Sequence, residues 1–393
     1  MFSKKSRAAS NGGASTKTKG SKKKNFRQGF LSLGLLRKIA PKKNRFAAID
    51  IGNGNIKVVE VSVVEGLPEV TASGSISMPA GALDEPVNEE ALVAALNELV
   101  LTSGIQLREV ITTIGGDKVI TRHIKLPLMP EKELATAVRF EVEKFIPTPV
   151  SELQIRHLKL SVTEENGEKT VHLLVAAVPT SYIYDFYRIF ALAGLTVAAI
   201  DLQTLSLWRV FCGISPKPAC QGTVGILDIG ASTTQFLVVR ERLLEFTRTL
   251  PVGGKLLTNS LAEYYGFEFQ QASDVKLERG RLLSAEEAAA TSQEDMQIDF
   301  SLRAGLSELV REIRRSIDFY ASQEGATPIE RFIISGGAVK LLGFCEFLAE
   351  ALEAPVEFGE PGLPGQPVNE TAPEAFDQAY AVVLGSALRE VVE

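Results

Sequence analysis

The sequence predicts an α/β fold of two similar lobes, with a small β-α-β-β-α unit inserted in the first. A pattern that occurs twice carries most of this reading. Phe46 to Val61 reads FAAIDIGNGNIKVVEV, and Val224 to Val239 reads VGILDIGASTTQFLVV. Each is an apolar run, Asp-Ile-Gly, a few small polar residues and a second apolar run. That is the pattern of a β-hairpin whose tight turn carries a carboxylate and a glycine. A third element, Arg331 to Gly343 (RFIISGGAVKLLG), reads as a short strand, a Ser-Gly-Gly turn and a helix starting near Ala338.

The elements follow in order. Residues 1–45 form a basic tail. Its first 24 or so residues are mostly Ser, Gly, Thr, Ala and Lys, too polar to order themselves. Asn25 to Ala40 places Phe26, Phe30, Leu33 and Leu36 near one face of a short amphipathic segment, interrupted by Gly29 and Gly34. It reads equally as a contact to anionic lipid or as a solvated linker. The first lobe spans 46–116, with 195–222 and a closing helix over 376–393. It holds a helix over Asn88 to Leu101, ended by Ser103-Gly104, and a strand over Glu109 to Ile114.

The inserted unit spans 117–194. Val119 to Lys125 is a strand and Pro130 to Phe145 a helix. Gln154 to Val162 and Lys169 to Val178 are paired strands, and Ser181 to Ala193 is a helix capped by Ser181 and stopped by Gly194. Leu202 to Phe211 is a core helix. The second lobe takes 223–252 and 330–375, with a helical subdomain over 253–329. Leu256 to Tyr265 and the Arg-rich Leu306 to Gln323 are its helices, and Glu360 to Ala375 is a Pro/Gly loop.

Composition narrows the function classes. Of the 42 Lys and Arg, 14 lie in residues 1–45 with no acid, which leaves 28 against 48 acidic residues, a net of −20 on the body. An acidic body argues against nucleic acid as a partner, and Arg311, Arg314 and Arg315 read as a solvated helix face. No stretch is long enough to cross a bilayer, and the N-terminus does not read as a signal peptide. Cys212, Cys220 and Cys345 lack C-x-x-C spacing, which argues for a reducing compartment without a disulfide framework. His123, His157 and His172 show no metal-ligand spacing.

The two Asp-Ile-Gly hairpins and the Ser-Gly-Gly turn resemble the phosphate-1, phosphate-2 and adenosine motifs of the actin/Hsp70/hexokinase ATPase superfamily, built from duplicated ribonuclease-H-like domains. With the inserted unit, the chain is similar to the branch containing FtsA and the type IV pilus protein PilM. VRFEVEKFIPTPVSEL (Val138 to Leu153), TRTLPVGGKLLTNSLAEYYG (Thr247 to Gly266) and ELVREIRRSIDFY (Glu308 to Tyr320) point to the PilM family. The resemblance covers residues 46 to 393.

By that resemblance the cofactors are ATP and Mg²⁺. Asp50 and Asp228 are the metal-side carboxylates. Gly52, Asn53, Asn55 and Lys57 serve the first phosphate loop, and Gly230, Ala231, Ser232 and Thr233 the second. Ser335, Gly336 and Gly337 lie where the nucleoside packs, with Gly254 and Lys255 closing from the other lobe. Gln203 stands where the family often carries Glu. Glutamine orients a water but accepts no proton at neutral pH, so hydrolysis is expected to be slow.

The expected function is an ATP-binding scaffold of the pilus platform, at the cytoplasmic face of the inner membrane. It would bind the N-terminal segment of a PilN-type membrane protein in a groove between the first lobe and residues 117–194. Other platform proteins and self-association are further expectations. The alternatives are an FtsA-like filament former, a small-molecule kinase or a dehydratase activator. A kinase needs a further Asp base, an activator needs cluster-forming cysteines, and an FtsA-like C-terminal anchor does not suit the acidic ALREVVE end.

Overall fold

The computed structural model describes residues 44–165, 167–214, 220–361 and 377–392. The expected basic tail up to residue 43, and the Pro/Gly loop from 362 to 376, lie outside these residues.

The chain opens with β1 (Arg45–Ile51), β2 (Asn55–Val64) and β3 (Leu67–Ser77), then α1 (Glu89–Ser103) and β4 (Glu109–Ile114). α1 starts where Asn88 accepts from the Ala91 N–H and stops at Gly104, whose φ of 71° suits glycine. The insert follows as β5 (Ile120–Pro127), α2 (Glu131–Glu143), β6 (Leu153–Glu165), β7 (Glu168–Pro179) and α3 (Thr180–Leu192). This is the expected β-α-β-β-α order. α3 begins one residue earlier than expected, and Ser181 does not cap it. β8 (Thr196–Leu202), a strand the sequence reading passed over, leads to α4 (Gln203–Trp208) and a π-helical turn, Arg209–Ile214.

The second lobe contains β9 (Thr223–Ile229), β10 (Thr234–Arg240), β11 (Leu243–Leu250), α5 (Lys255–Tyr265), α6 (Phe269–Arg279), α7 (Ala285–Ala290), α8 (Gln293–Ala321), β12 (Arg331–Ser335), α9 (Phe344–Leu352), β13 (Val356–Phe358) and α10 (Ala381–Ala387). α8 begins well before Leu306, because Ser292 caps it by accepting from the Asp295 N–H, with acids in the first turn. The helix expected near Ala338 starts at Phe344 instead. Gly336 and Gly343 have φ of 96° and 77°, and between them only a 3-10 turn, Gly337–Lys340, fits.

The two large sheets share one topology. Their strand orders are β3-β2-β1-β4-β8 and β11-β10-β9-β12-β13. In each, an antiparallel meander is extended by two parallel strands. The sequence repeat is therefore a repeat of fold.

Alternate residues of each first strand enter different cores, as the two-residue period of a strand requires. Ala47 and Ile49 pack under α1, and Leu227 and Ile229 pack with α8. Ala48, Val224 and Ile226 share a central core with Leu207 of α4 and Leu384 of α10. α4 and α10 cross so closely that a Cβ on Gly385 would lie 2.0 Å from the Ser206 carbonyl oxygen. Buried Arg209 fixes the crossing by donating to Asp201 Oδ2 at 2.9 Å and to the Gly385 carbonyl at 2.6 Å.

The insert has its own core on the sheet β5-β7-β6, with Leu134, Val138, Leu173 and Val175. It docks on the first lobe through Phe186, Ile189 and Phe190 of α3, which share a core with Leu92, Leu96 and Leu99 of α1. It touches the second lobe where Thr121 and Thr247 meet hydroxyl to hydroxyl at 3.3 Å.

One expectation is overturned. Cys212 and Cys220 form a disulfide, since burial in the central core brings their Cα atoms to 5.4 Å. The absence of C-x-x-C spacing did not exclude this pairing across an eight-residue separation.

Candidate functional site

The site is built from the two hairpins. β1 and β2 pair through Ile51 and Ile56, and β9 and β10 through Ile229 and Thr234, so each loop has four residues. Both loops close alike. The Gly52 N–H donates to the Asn55 carbonyl at 3.0 Å, and the Gly230 N–H to the Thr233 carbonyl at 3.0 Å. The tips meet across the cleft, where a Cβ on Gly54 would lie 3.1 Å from that of Ala231. Asn53 and Asn55 are exposed on the first loop, while Ala231, Ser232 and Thr233 are half-buried on the second.

Asp50 and Asp228 sit on the strands just before the loops, rather than in the turns. Asp50 is buried and accepts from Thr113 Oγ1 at 2.5 Å and from Gln203 Nε2 at 3.4 Å. Asp228 accepts from Ser335 Oγ at 2.8 Å. Burial pushes the Asp228 carboxyl up to about 6. The charge of Asp50 acts in the same direction, while the Ser335 hydrogen bond and the Lys57 ammonium act against it. Asp228 thus feels both Asp50 and Lys57 from across the cleft.

The glycines divide by role. Gly253 and Gly254 close under the second loop, with the Gly254 N–H donating to the Gly230 carbonyl at 2.9 Å and the Lys255 N–H to the Ala231 carbonyl at 2.8 Å. The Lys255 side chain is exposed. A Cβ on Gly336 would lie 2.4 Å from the Ile229 carbonyl oxygen, whereas one on Gly337 would meet nothing within 4 Å. Ser335 is fully buried and committed to Asp228, so among the three turn residues Gly337 is the one that faces open space.

Several residues that sequence reasoning missed complete the site. Gln235 stands opposite Asp228 in the ladder, as Lys57 stands opposite Asp50. Aligning the two repeats would have found it. Gln235 Nε2 donates to Gln203 Oε1 at 3.4 Å, and Thr249 Oγ1 donates to Gln235 Oε1 at 3.0 Å. With Gln203 and Asp50 this forms a polar chain from one lobe to the other. Lys276 of α6 donates to Thr258 Oγ1 at 2.6 Å beside the Gly254 carbonyl, and burial lowers its ammonium pKa. No motif spacing marked it.

The arrangement fits a magnesium nucleotide. Two opposed carboxylates suit Mg²⁺, which takes one or two carboxylates and completes its shell with phosphate and water oxygens. Loops of small, glycine-containing sequence are the kind through which backbone can approach phosphate oxygens.

Known proteins share this fold. The profile of the family described as type IV pilus assembly protein PilM matches residues 48–391. A solved PilM-PilN type IV pilus biogenesis complex contains a chain 28% identical, with a TM-score of 0.75, covering 90% of this chain and 100% of that one. The ethanolamine utilization protein EutJ from Carboxydothermus hydrogenoformans is 17% identical with a TM-score of 0.50, covering 89% of this chain and 90% of that one, a likeness of fold. The cell division protein FtsA of Enterococcus faecalis is 22% identical over 374 residues, covering 82% of this chain and 80% of FtsA. The fold is that of the actin-like ATPases, and the chain belongs to the type IV pilus assembly protein PilM family.

Proposed function

We propose that this protein is a nucleotide-gated scaffold of type IV pilus assembly that binds the N-terminal segment of a PilN-type membrane protein. ATP with Mg²⁺ would sit between the hairpins, held at Asp50 and Asp228 with Lys57 and the loop amides on the phosphates. The bound metal would offset the negative charge of phosphates and carboxylates. The nucleoside would lie over Gly337, near Gly254 and Lys276. Gln203 would orient water without taking its proton, so turnover is slow.

The observation that carries the reading is the polar chain Asp50–Gln203–Gln235–Thr249 between the lobes. It gives a nucleotide a route to bias lobe closure. The insert touches both lobes, through α3 on α1 and through Thr121 on Thr247, so closure would alter the groove between the insert and the first lobe. A ligand shifts such an equilibrium only by its differential affinity for the two states. Tyr184 and Tyr187 remain exposed on α3, available to an apolar peptide.

Among the described residues no helix is long and apolar enough to cross a membrane. Residence at the cytoplasmic face of the inner membrane is part of the proposal, as are anionic lipid at the basic tail, further platform proteins and self-association. Calorimetry of Mg²⁺-ATP binding, with phosphate release followed on the same sample, tests the reading. Binding with negligible turnover, lost in Asp228→Ala, supports it. Rapid turnover means an enzyme, and no binding means an inherited fold without a nucleotide.

A further inference from the structure

A cavity of about 760 Å³ lies between the insert and the second lobe, with Thr233 of the second hairpin loop in its lining. Thr121 and Arg122 of β5, Phe246 and Arg248 of β11, and Arg315 and Phe319 of α8 line it. We propose that it is a docking site for an acidic, partly apolar peptide segment of a partner protein.

Charge is the first argument. The body is strongly acidic, yet three arginines converge here with Asp117 as the one acid of the lining. Arg122 and Arg248 place their guanidinium groups 5.7 Å from the ring centroids of Phe145 and Phe319, respectively. Neither makes an ion pair with a carboxylate among the described residues. Arg315 has Glu312 on its own helix, at 3.8 Å. Guanidinium groups stacked on rings keep their edges free for the two oxygens of a carboxylate. Arginine is among the residues enriched at binding hot spots.

Backbone is the second argument. β5 and β11 are edge strands of their sheets. They meet at the Thr121–Thr247 hydroxyl contact but share no ladder among the described residues. An edge strand leaves backbone N–H and C=O groups unpaired along its open side, and an extended peptide can pair with such an edge. The exposed side chains of Phe319 and Ile120 give apolar side chains a place to bury. A free inorganic anion would make no use of them, and this favours a peptide. The size lies within the range of specific ligand sites, roughly 300–1,000 Å³.

The test uses the full-length, nucleotide-free protein, so that its result is independent of the nucleotide and PilN-type readings. Fluorescence anisotropy would compare a labelled peptide of alternating Glu and Leu with its Gln-for-Glu counterpart. The acidic peptide should bind, and the Gln peptide at least tenfold more weakly. Arg122→Gln with Arg248→Gln should lower acidic-peptide affinity at least tenfold, while Arg311→Gln on α8, outside the cavity, leaves it unchanged. Hydrogen exchange on the wild type should show the acidic peptide protecting amides 120–122 and 246–249, a reading that needs no variant to fold. Equal binding of both peptides, unchanged affinity in a folded double variant, or no protection at these amides would overturn the proposal. Competition by inorganic phosphate at the peptide's own concentration range would also overturn it, in favour of a small-anion site.

Discussion

Gln235 on the second lobe donates from Nε2 to Oε1 of Gln203, 3.4 Å away, and Gln203 donates in turn to Asp50 on the first lobe. Each amide uses both ends, as donor and as acceptor, which fixes its orientation. A carboxylate at position 203 would lose the donor that reaches Asp50. The glutamine therefore serves a link between lobes as well as any role toward water.

Breaking this link should uncouple the lobes without unfolding either. A Cβ at Gly115 would lie 1.9 Å from Gln203 Oε1 and force that side chain out of place. Gly115→Ala and Gln203→Ala are therefore expected to share a phenotype. Both should reduce the nucleotide-induced change in hydrogen exchange at residues 247–250, and the double variant should add little, because one interaction is removed twice. Additive effects would mean that Gly115 acts elsewhere.

Adjacent glycines should separate structural from binding roles. Gly336→Ala puts a Cβ against backbone at a φ of 96° and should cost about 1–3 kcal/mol in chemical denaturation. Gly337→Val enters open space and should change stability by only about 0.5 kcal/mol. Its effect should fall on ATP affinity, about tenfold weaker by calorimetry. Unchanged affinity would place the nucleoside elsewhere.

The Asp228 carboxyl, raised to about 6 by burial, should make the proposed metal-nucleotide binding pH-dependent. A proton must leave before the carboxylate can hold Mg²⁺. Mg²⁺-ATP affinity should rise through about pH 6 and reach its full value only well above it, and Asp228→Asn should bind weakly with that dependence flattened.

Stability should show two opposed contributions in the same window. For Asp228 the native state holds the proton more tightly than the unfolded chain. Its contribution is present below the ordinary carboxylate pKa and lost as pH rises through about 6. Burial, with the charge of His172 second, lowers His123 to about 4. Its contribution is present above the ordinary imidazole pKa of 6.5 and lost as pH falls towards 4. Denaturation between pH 4 and 6.5 should show His123→Leu losing acid sensitivity relative to wild type, and Asp228→Asn gaining it.

Much of this site was legible because its residues are local in sequence. Asp50 to Lys57 and Asp228 to Gln235 each lie within one hairpin, so composition, spacing and register appear in a single window. The sheets were less legible. β8 and β13 join by parallel pairing to strands distant in the chain, and nothing local marks such partners. Thr113, Thr249 and Lys276 were hidden for the same reason, since each reaches the site from an element whose own pattern is that of an ordinary strand or helix. The early start of α8 is marked in the sequence by Ser292 and Asp295, a cap and an acid three residues on. The Cys212–Cys220 pair was obscured because the core that brings the two together is built from both lobes.

The most direct test of a nucleotide-gated scaffold is the affinity of a synthetic peptide, taken from the cytoplasmic N-terminus of a PilN-type partner, with and without Mg²⁺-ATP. The account predicts a several-fold change in wild type that disappears in Gln203→Ala, with peptide binding itself retained. Equal affinity in the two nucleotide states of the wild type, with both ligands bound, would contradict it.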